Sequence, residues 1–462
     1  MKLSNIKQIH FIGIGGVGMV GIAEMLINQG FSVSGSDLIK NKNTNRLDAL
    51  GAKIFIGHNE KNVRDADVVV YSSAVSESNP EIKAAKSLNI TLIPRAEMLS
   101  SLMRGFQSIA VAGSHGKTTT TSLLADIFMR ANLDPTFIIG GKILGQENKS
   151  ILGSSEYLIV EADESDASFL HLSPEISVIT NIDNDHLDFY ENNLEKLDAT
   201  FLQFLENLPF YGNAIICVDS ERSKHVFEKL SRPKVSYGFD KKADYFVKDL
   251  KQSNLLQEFT VVKNSTGKET SLKLALAGRH NALNATAAFI VSQKAGINIK
   301  VIKESFKNFG GVSRRMEQKG GIFINKNKVK LIDDYGHHPT EIKATIDAVK
   351  ATNPKKKVSM VFQPHRYSRS TLLFDEFIDS LADLDNIIIL DIYSAGEQNP
   401  ENINAYSFVN ALVEKGKNAY FAKNLKEICA NLETIINGEE VLITQGAGNI
   451  VDISNSIAAI YR

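Results

Sequence analysis

The stretch VAGSHGKTTTTSLLADIF, Val111 to Phe128, decides how the rest of this 462-residue chain is read. It completes the apolar run SIAVAG, passes two glycines and opens a helix candidate, KTTTTSLLADIFMRAN. A buried strand, a glycine-rich loop and Gly116-Lys117-Thr118 at a helix start make phosphate-loop architecture. Loop amides and the helix N-terminus face an anion, the lysine neutralises β/γ-phosphate charge, and a threonine hydroxyl ligates Mg²⁺. The strict pattern asks for glycine five residues before Gly116, where Val111 stands, so this is a shortened variant using Gly113.

A second nucleotide signal lies upstream. GIGGVG, Gly13 to Gly18, follows the apolar IHFI and precedes a helical segment, and Asp37 comes after the next strand-like run, FSVSG. That is the fingerprint of an NAD-binding βαβ unit. Nothing local distinguishes NAD from another nucleotide, because a glycine turn admits any pyrophosphate.

Downstream, acids gather where a phosphate-loop sheet would bind its ligand. YLIVEADESD places Glu161 and Asp163 at the end of an apolar strand, the place of a Walker-B acid. ISVITNIDNDHLDFY sets Asn181, Asp183, Asp185, His186 and Asp188 beyond another strand. Singly, such acids also serve as turn-formers and helix caps. Two clusters at strand C-terminal ends favour hard oxygen ligands for Mg²⁺.

Three further groups remain. AGRHNALNATAA carries His280, with Asn281 and Asn284 on one helical face, or as capping residues. LIDDYGHHPTEI packs Asp333, Asp334, Tyr335, His337 and His338 before a proline-opened helix. A histidine pair without a third spaced ligand favours substrate contact or structure over zinc. VFQPHRYSRST sets His365, Arg366 and Arg369 after a strand, where arginine suits a carboxylate or phosphate, or simply solvent.

Lys+Arg 52 against Asp+Glu 53 leaves no global field for nucleic acid or a membrane surface. Cys217 and Cys429 lack metal-type spacing, which fits a reducing cytosol. No apolar window approaches about 20 residues, and no export signal is visible, so a cytoplasmic protein is expected.

Along the chain, strand and helix candidates alternate. IHFIGI, FSVSG, AKIFI, DVVVYSS and ITLIP read as a parallel sheet with flanking helices. A second α/β unit runs from SIAVAG through YLIVEAD, ISVITNI and NAIICVD, and a hairpin-like polar stretch over 244–275 interrupts it. A third unit, with KLIDDY, VSMVFQPH, NIIILDIY and EVLITQGAG, follows a linker at Gly310-Gly311.

GIGGVGM, AGSHGKTTTT, EADESD, TNIDNDHLDFY, GRHNALNATAA, DDYGHHP and FQPHRYSR, in that order, resemble the Mur ligase family over essentially the whole chain. The glycine start with DDYGHHP and PHRYSR resembles its alanine-adding branch. A tripeptide-recycling branch shares much of the pattern and differs around the first glycine turn.

The resemblance implies an α/β fold of three domains. Residues 1–106 form a Rossmann-like parallel sheet that binds a UDP-sugar, 107–312 a central phosphate-loop ATPase domain, and 313–462 a Rossmann-like closing domain. It implies ATP-driven joining of L-alanine to the carboxylate of UDP-N-acetylmuramate through an acyl phosphate, with ATP and Mg²⁺ required. Gly13, Gly15, Gly16, Val17, Gly18, Asp37, Ser72 and Ser73 would hold the UDP-sugar. Gly113, Ser114, His115, Gly116, Lys117, Thr118 and Thr119 would hold the ATP phosphates, with Asn281 and Asn284 near adenine and Asp334 near the ribose. Thr118 and Glu161 would hold one Mg²⁺ and His186 a second. Tyr335, His337, Arg366 and Arg369 would line the alanine and phosphoryl side.

Arg314 or Arg315 would reach the γ-phosphate, and Lys196 lies near the site in a family of which some members carry a carbamoylated lysine. Closure of the domains would assemble the site. Neither nucleic acid nor membrane is expected as a partner, and the chain would be a monomer or homodimer. The rivals are an NAD-dependent oxidoreductase fused to an ATPase, a nucleotide-gated switch or transport ATPase, and a folate-polyglutamate-type ligase. The oxidoreductase leaves DDYGHHP and PHRYSR without a task. The switch needs partner surfaces that the sequence does not display, and the folate-type ligase would lack the first glycine-turn domain.

Overall fold

A computed structural model of the chain describes residues 6–72, 74–144, 150–253, 256–399 and 402–462. Ser73 and the side chain of Val17, both expected at the UDP-sugar site, lie outside the described residues.

The first sheet is parallel throughout, in the order Lys53–Ile56, Ser32–Asp37, Gln8–Ile12, Val68–Tyr71, Thr91–Pro94. Its centre is IHFI, whose Ile9, Phe11 and Ile12 are fully buried, as strands covered on both faces require. Helix Val17–Asn28 supplies Met19, Ile22, Ala23 and Leu26 to that core. Gly13, Asp37 and Ser72 all fall at or just beyond the carboxyl ends of their strands, the ligand-binding edge of an open α/β sheet.

Among the described residues the central sheet has ten strands and is mixed. Parallel pairing links Tyr157–Glu161, Gln107–Ala112, Ile176–Ile179, Asn213–Cys217 and Lys234–Gly238, whereas Thr136–Ile138 and Ser150–Ile151 run antiparallel. The 244–275 stretch expected as a hairpin forms three strands, Tyr245–Ser253, Leu256–Lys263 and Lys268–Leu274, at one edge of this sheet.

The last sheet runs Glu317–Ile324, Asn327–Asp334, Glu440–Gln445, Lys357–Phe362, Asn386–Ile389, Asn418–Phe421. All pairs are parallel except the first, a hairpin turning through Asn325 and Lys326. Both turn residues have positive φ, 51° and 66°, as a primed two-residue turn demands. Asp334 and Gln445 end adjacent strands and pair in register.

The chain divides into two compact units. One comprises Met1–Phe246, Val262–Lys268 and Asn284–Ser305; the other Val247–Val261, Glu269–Leu283 and Phe306–Arg462. No helix among the described residues is long and apolar enough to cross a membrane.

Candidate active site

In the first unit the glycine turn is held from below. The amides of Gly13 and Ile14 both donate to the carbonyl of Ser36, at 2.8 and 3.0 Å. Gly15 N donates to Asp37 Oδ2 at 2.8 Å, and a Cβ on Gly15 would stand 2.6 Å from Asn41 Nδ2, so a larger residue would have to displace the Asn41 and Asp37 side chains. The acid that dinucleotide folds turn toward a ribose is here engaged with the loop itself. Ser72 donates its amide to Ile12 O, and its Cβ lies beside Gly13. Arg95 packs over Gly18, with its guanidinium 3.1–3.3 Å from where a Cβ would sit. It brings a cation to the turn that the sequence reading passed over, although LIPRAEML shows it directly after a strand.

The phosphate loop joins strand Gln107–Ala112 to helix Lys117–Arg130. Gly113 has φ +123°, and a Cβ there would meet Thr180 Oγ1 at 2.3 Å. Gly116, with φ +84°, precedes the helix and provides no side-chain cap, so the first-turn amides keep their capacity for an anion. A Cβ on Gly116 would fall 2.6 Å from Asn284 Oδ1, which places that asparagine against the loop.

The TNIDND segment braces the loop from the side. His115 N donates to Asn181 Oδ1 at 2.9 Å, His115 Nε2 stands 2.9 Å from Asp183 Oδ2, and Asp183 N donates to Ser114 Oγ at 2.9 Å. Thr119 is buried within the helix start. Glu161 accepts from Thr118 Oγ1 at 3.2 Å and from Gly140 N at 2.8 Å. A hydroxyl and a carboxylate converging beside the loop are hard oxygen donors of the kind Mg²⁺ takes, so this pair fits the ion.

His186 sits on left-handed backbone, φ +55°, with Nε2 3.5 Å from Asp185 Oδ2. Lys196 pairs with Glu191 at 2.8 Å on an exposed face.

Lys117 Nζ donates to Gly113 O at 2.7 Å, to Ser114 O at 3.3 Å and to Glu164 Oε1 at 2.7 Å. Burial opposes its charge, yet Glu164, Asp163 and Glu161 together raise the lysine above its ordinary value. Burial likewise pushes the Glu164 carboxyl up, while Lys117 pulls it back. Asp163 is lowered despite its burial, chiefly by Lys117 and to a smaller degree by Arg95. Glu164 is absent from the expected set; only its place three residues after Glu161 in EADESD could have signalled it.

In the second unit, Asn281 is buried and donates Nδ2 to Ala277 O at 2.6 Å, so part of its capacity serves the helix start. Asp334 is buried at its strand end, accepting from Met316 N at 2.8 Å and Gly336 N at 2.7 Å. Burial pushes its carboxyl up to about 6, against the nearby Arg315. Arg314 and Arg315 lie over the Tyr335 ring at 5.0 and 5.2 Å. Arg314 also pairs with Asp333 at 3.2 Å and donates to Gly446 O at 2.6 Å, whereas Arg315 pairs with Glu341 at 3.1 Å.

The two histidines of DDYGHHP have different tasks. His338 is buried as the cap of helix Pro339–Thr352, with Nδ1 accepting from Thr340 N and Glu341 reaching back to its amide. His337 meets Tyr335 edge-on at 5.5 Å and lies 5.6 Å from the His365 ring, which stacks on Tyr393. Arg366 takes φ +69°, stands 3.7 Å from Glu397, and donates its amide to Tyr393 O. Arg369 is buried with Nη1 3.4 Å from His365 O. The structure therefore gathers Tyr335, His337, His365 and Arg369 around one group of strand ends.

Three family models match in order: the Mur ligase family catalytic domain over residues 8–107, the Mur ligase middle domain over 111–292, and the Mur ligase glutamate ligase domain over 314–448. Among solved structures, the UDP-N-acetylmuramate-alanine ligase of Thermotoga maritima is 29% identical, with 99% of each chain covered and a TM-score of 0.80. A murein peptide ligase of Psychrobacter arcticus shares the fold at 22% identity, covering 98% of each chain with a TM-score of 0.69. The UDP-N-acetylmuramate:L-alanyl-γ-D-glutamyl-meso-diaminopimelate ligase of Neisseria meningitidis is 27% identical over 67% of this chain and all of its own, with a TM-score of 0.61.

Proposed function

This chain belongs to the Mur ligase family, and we propose that within it the chain joins L-alanine to the lactyl carboxylate of UDP-N-acetylmuramate. The family membership makes it an ATP-dependent, amide-forming ligase of peptidoglycan precursor synthesis. The choice of acceptors is carried by one observation: likeness to an alanine-adding ligase over 99% of both chains. We place the domain boundaries at 106/107 and 312/313.

A carboxylate does not accept an amine directly, because oxide would have to leave. In the proposed reaction the muramate carboxylate attacks the γ-phosphorus of ATP, giving an acyl phosphate and ADP. The amine of L-alanine then attacks the activated carbonyl, and inorganic phosphate leaves with the C–O electron pair as the nitrogen loses a proton. Positioning and charge neutralisation are the protein's tasks.

The glycine turn, its Gly15 amide braced by Asp37, takes the UDP pyrophosphate with Ser72 and Arg95 beside it. The amides from Gly113 to Thr119 and the Lys117 ammonium take the ATP phosphates. Thr118 and Glu161 hold Mg²⁺, with His186 at a second ion, and bound Mg²⁺ supplies Lewis-acid charge to the phosphoryl oxygens. Asn281 and Asn284 serve the adenine and Asp334 the ribose. Tyr335, His337, Arg366 and Arg369 face the alanine and phosphoryl groups.

Phosphate release from Mg-ATP, with UDP-N-acetylmuramate and L-alanine added separately and together, tests this reading. Release that needs both, with a product heavier by one alanine residue, supports it. Release with L-alanyl-γ-D-glutamyl-meso-diaminopimelate in place of alanine would establish the recycling activity instead, the second reading that the Neisseria likeness favours. Release indifferent to the sugar nucleotide, with NADH bound, would return the glycine turn to a dinucleotide.

A further inference from the structure

One buried carboxylate beside the phosphate loop has no part in the roles above. Glu164 is 2% exposed, and its Oε1 lies 2.7 Å from Lys117 Nζ, while its other oxygen is buried without a hydrogen-bond partner. Its backbone is pinned as well. The buried Tyr190 donates its hydroxyl to the Glu164 carbonyl, and Ala167 N donates to the same oxygen at 3.1 Å.

An ammonium has three N–H donors, and all three of Lys117's are engaged: Gly113 O, Ser114 O and Glu164 Oε1. An arriving phosphate must displace at least one. Two of the acceptors are neutral carbonyls of the loop that wraps the anion. The third is a buried carboxylate, and stripping its cation would leave an uncompensated charge in the interior, the more expensive loss. The carbonyls are therefore given up first, and Glu164 keeps its hold. That hold has a catalytic use. Lysine is a compact charge on a flexible stem, and transition-state stabilisation requires the charge to be in place before charge develops on the phosphoryl group.

We propose that Glu164 is a positioning residue that fixes the Lys117 ammonium at the mouth of the phosphate loop while the carbonyls of Gly113 and Ser114 exchange for phosphate oxygens. The inference rests on reading this loop as the ATP site, and on neither acceptor substrate.

The test is a double-mutant cycle on the full chain: Lys117→Met, Glu164→Gln and the two together, with Glu164→Asp as the conservative variant. Mg-ATP affinity is titrated directly without acceptors, and kcat and the KM values follow in the complete reaction. Glu164→Gln is expected to lower kcat by about 10- to 100-fold, the scale of a misplaced catalytic group, and to leave the KM for the sugar nucleotide unchanged. Its effect on Mg-ATP affinity should shrink to less than about twofold in the Lys117→Met background, as coupled residues require. Glu164→Asp should recover most of the lost kcat.

Equal losses of affinity in both backgrounds would overturn the proposal, as would a wild-type kcat in Glu164→Gln. So would equal loss in the Gln and Asp variants with a lowered melting temperature, which marks a packing role. The titration uses no acceptor. Failure of turnover with UDP-N-acetylmuramate and L-alanine would count against those substrates while the cycle still reads Glu164.

Discussion

Thr118 Oγ1 stands 3.2 Å from Glu161 Oε2, with the hydroxyl donating. The two residues lie at the ends of two parallel neighbours in the mixed central sheet, Thr118 in the helix that follows Gln107–Ala112 and Glu161 at the end of Tyr157–Glu161. Adjacency in the sheet brings together groups 43 positions apart in sequence. A bound Mg²⁺ would take the oxygen of each, and the threonine proton would turn away.

Glu161→Gln therefore keeps the shape and the acceptor for Gly140 N, and loses one negative charge at the ion. Phosphate release should fall by about 100-fold or more, the scale of deleting one electrostatic stabiliser of the transition state. Half-saturation by Mg²⁺ should rise in the same variant. A Mg²⁺ titration of initial rates, with thermal unfolding as the control for folding, reads both. An unchanged Mg²⁺ dependence would remove Glu161 from the ion.

Gly113 offers a backbone test of the same loop. Its φ of +123° excludes side chains, and a Cβ would lie 2.3 Å from Thr180 Oγ1 and 2.7 Å from Asn181 O, both firmly placed. Gly113→Ala should abolish nucleotide binding by forcing the loop off the TNIDND segment. It should also destabilise the protein by roughly 1–3 kcal/mol, the ordinary scale of such strain. Titration with Mg-ATP and a urea melt check the two halves separately. A variant that binds nucleotide normally would mean that the loop does not need this geometry.

The three parallel cores were legible because buried parallel strands read as apolar runs: IHFI, SIAVA, YLIVE and EVLIT each became a strand. Glu317–Ile324 was not legible, because an edge strand with Gly320 and Gly321 and half its side chains outward carries little apolar signal. Its turn used Asn325-Lys326 rather than the Asn-Gly that marks such hairpins. Lys117, Thr118 and Glu161 were legible as neighbours because their spacing is fixed by one local strand–loop–helix unit and the strand beside it. Arg95 and Glu164 were missed because contact with Gly18 and Lys117 is a tertiary fact, and an isolated Arg or Glu in a sequence looks like solvated surface. His338, paired with His337 in the reading, became a helix cap because Pro339 fixes the helix start immediately after it.

Glu81 makes the first sheet acid-sensitive. Its carboxylate is fully buried, accepting from Ser36 Oγ at 2.5 Å, Asn62 Nδ2 at 2.6 Å and Asn59 N at 3.2 Å, with His10 Nε2 3.6 Å away. Burial alone would raise this carboxyl, but His10, Ser36 and Asn62 outweigh burial and hold it down at about 2, from an ordinary 4.5. Between those values the unfolded chain binds the extra proton, so stability rises with pH across the window. The contribution, on the order of 3 kcal/mol, is present above pH 4.5 and lost as pH falls toward 2. Urea midpoints of wild type and Glu81→Gln from pH 6 down to 2.5 should converge on acidification. A constant gap between them would show that Glu81 does not titrate in this range.

Glu341 ties the second unit's arginine to its histidine turn. It accepts from His337 N at 2.9 Å and His338 N at 3.3 Å, and pairs with Arg315 at 3.1 Å, so one carboxylate both closes a capping box and neutralises a guanidinium. Two substitutions separate these tasks. Glu341→Gln keeps an oxygen for the amides and removes the charge; Glu341→Ala removes both. The alanine variant should be less stable than the glutamine variant by about 1 kcal/mol, the usual worth of a helix cap. The glutamine variant should itself fall below wild type by roughly 1–2 kcal/mol, since Arg315 is left partly buried without its partner carboxylate and solvent screens part of the loss. Urea unfolding of the three proteins, followed by amide exchange along helix Pro339–Thr352, reads the order. If the two variants were equally stable, the capping box would contribute nothing. If Glu341→Gln matched wild type, the Arg315 pair would be a surface contact without energetic weight.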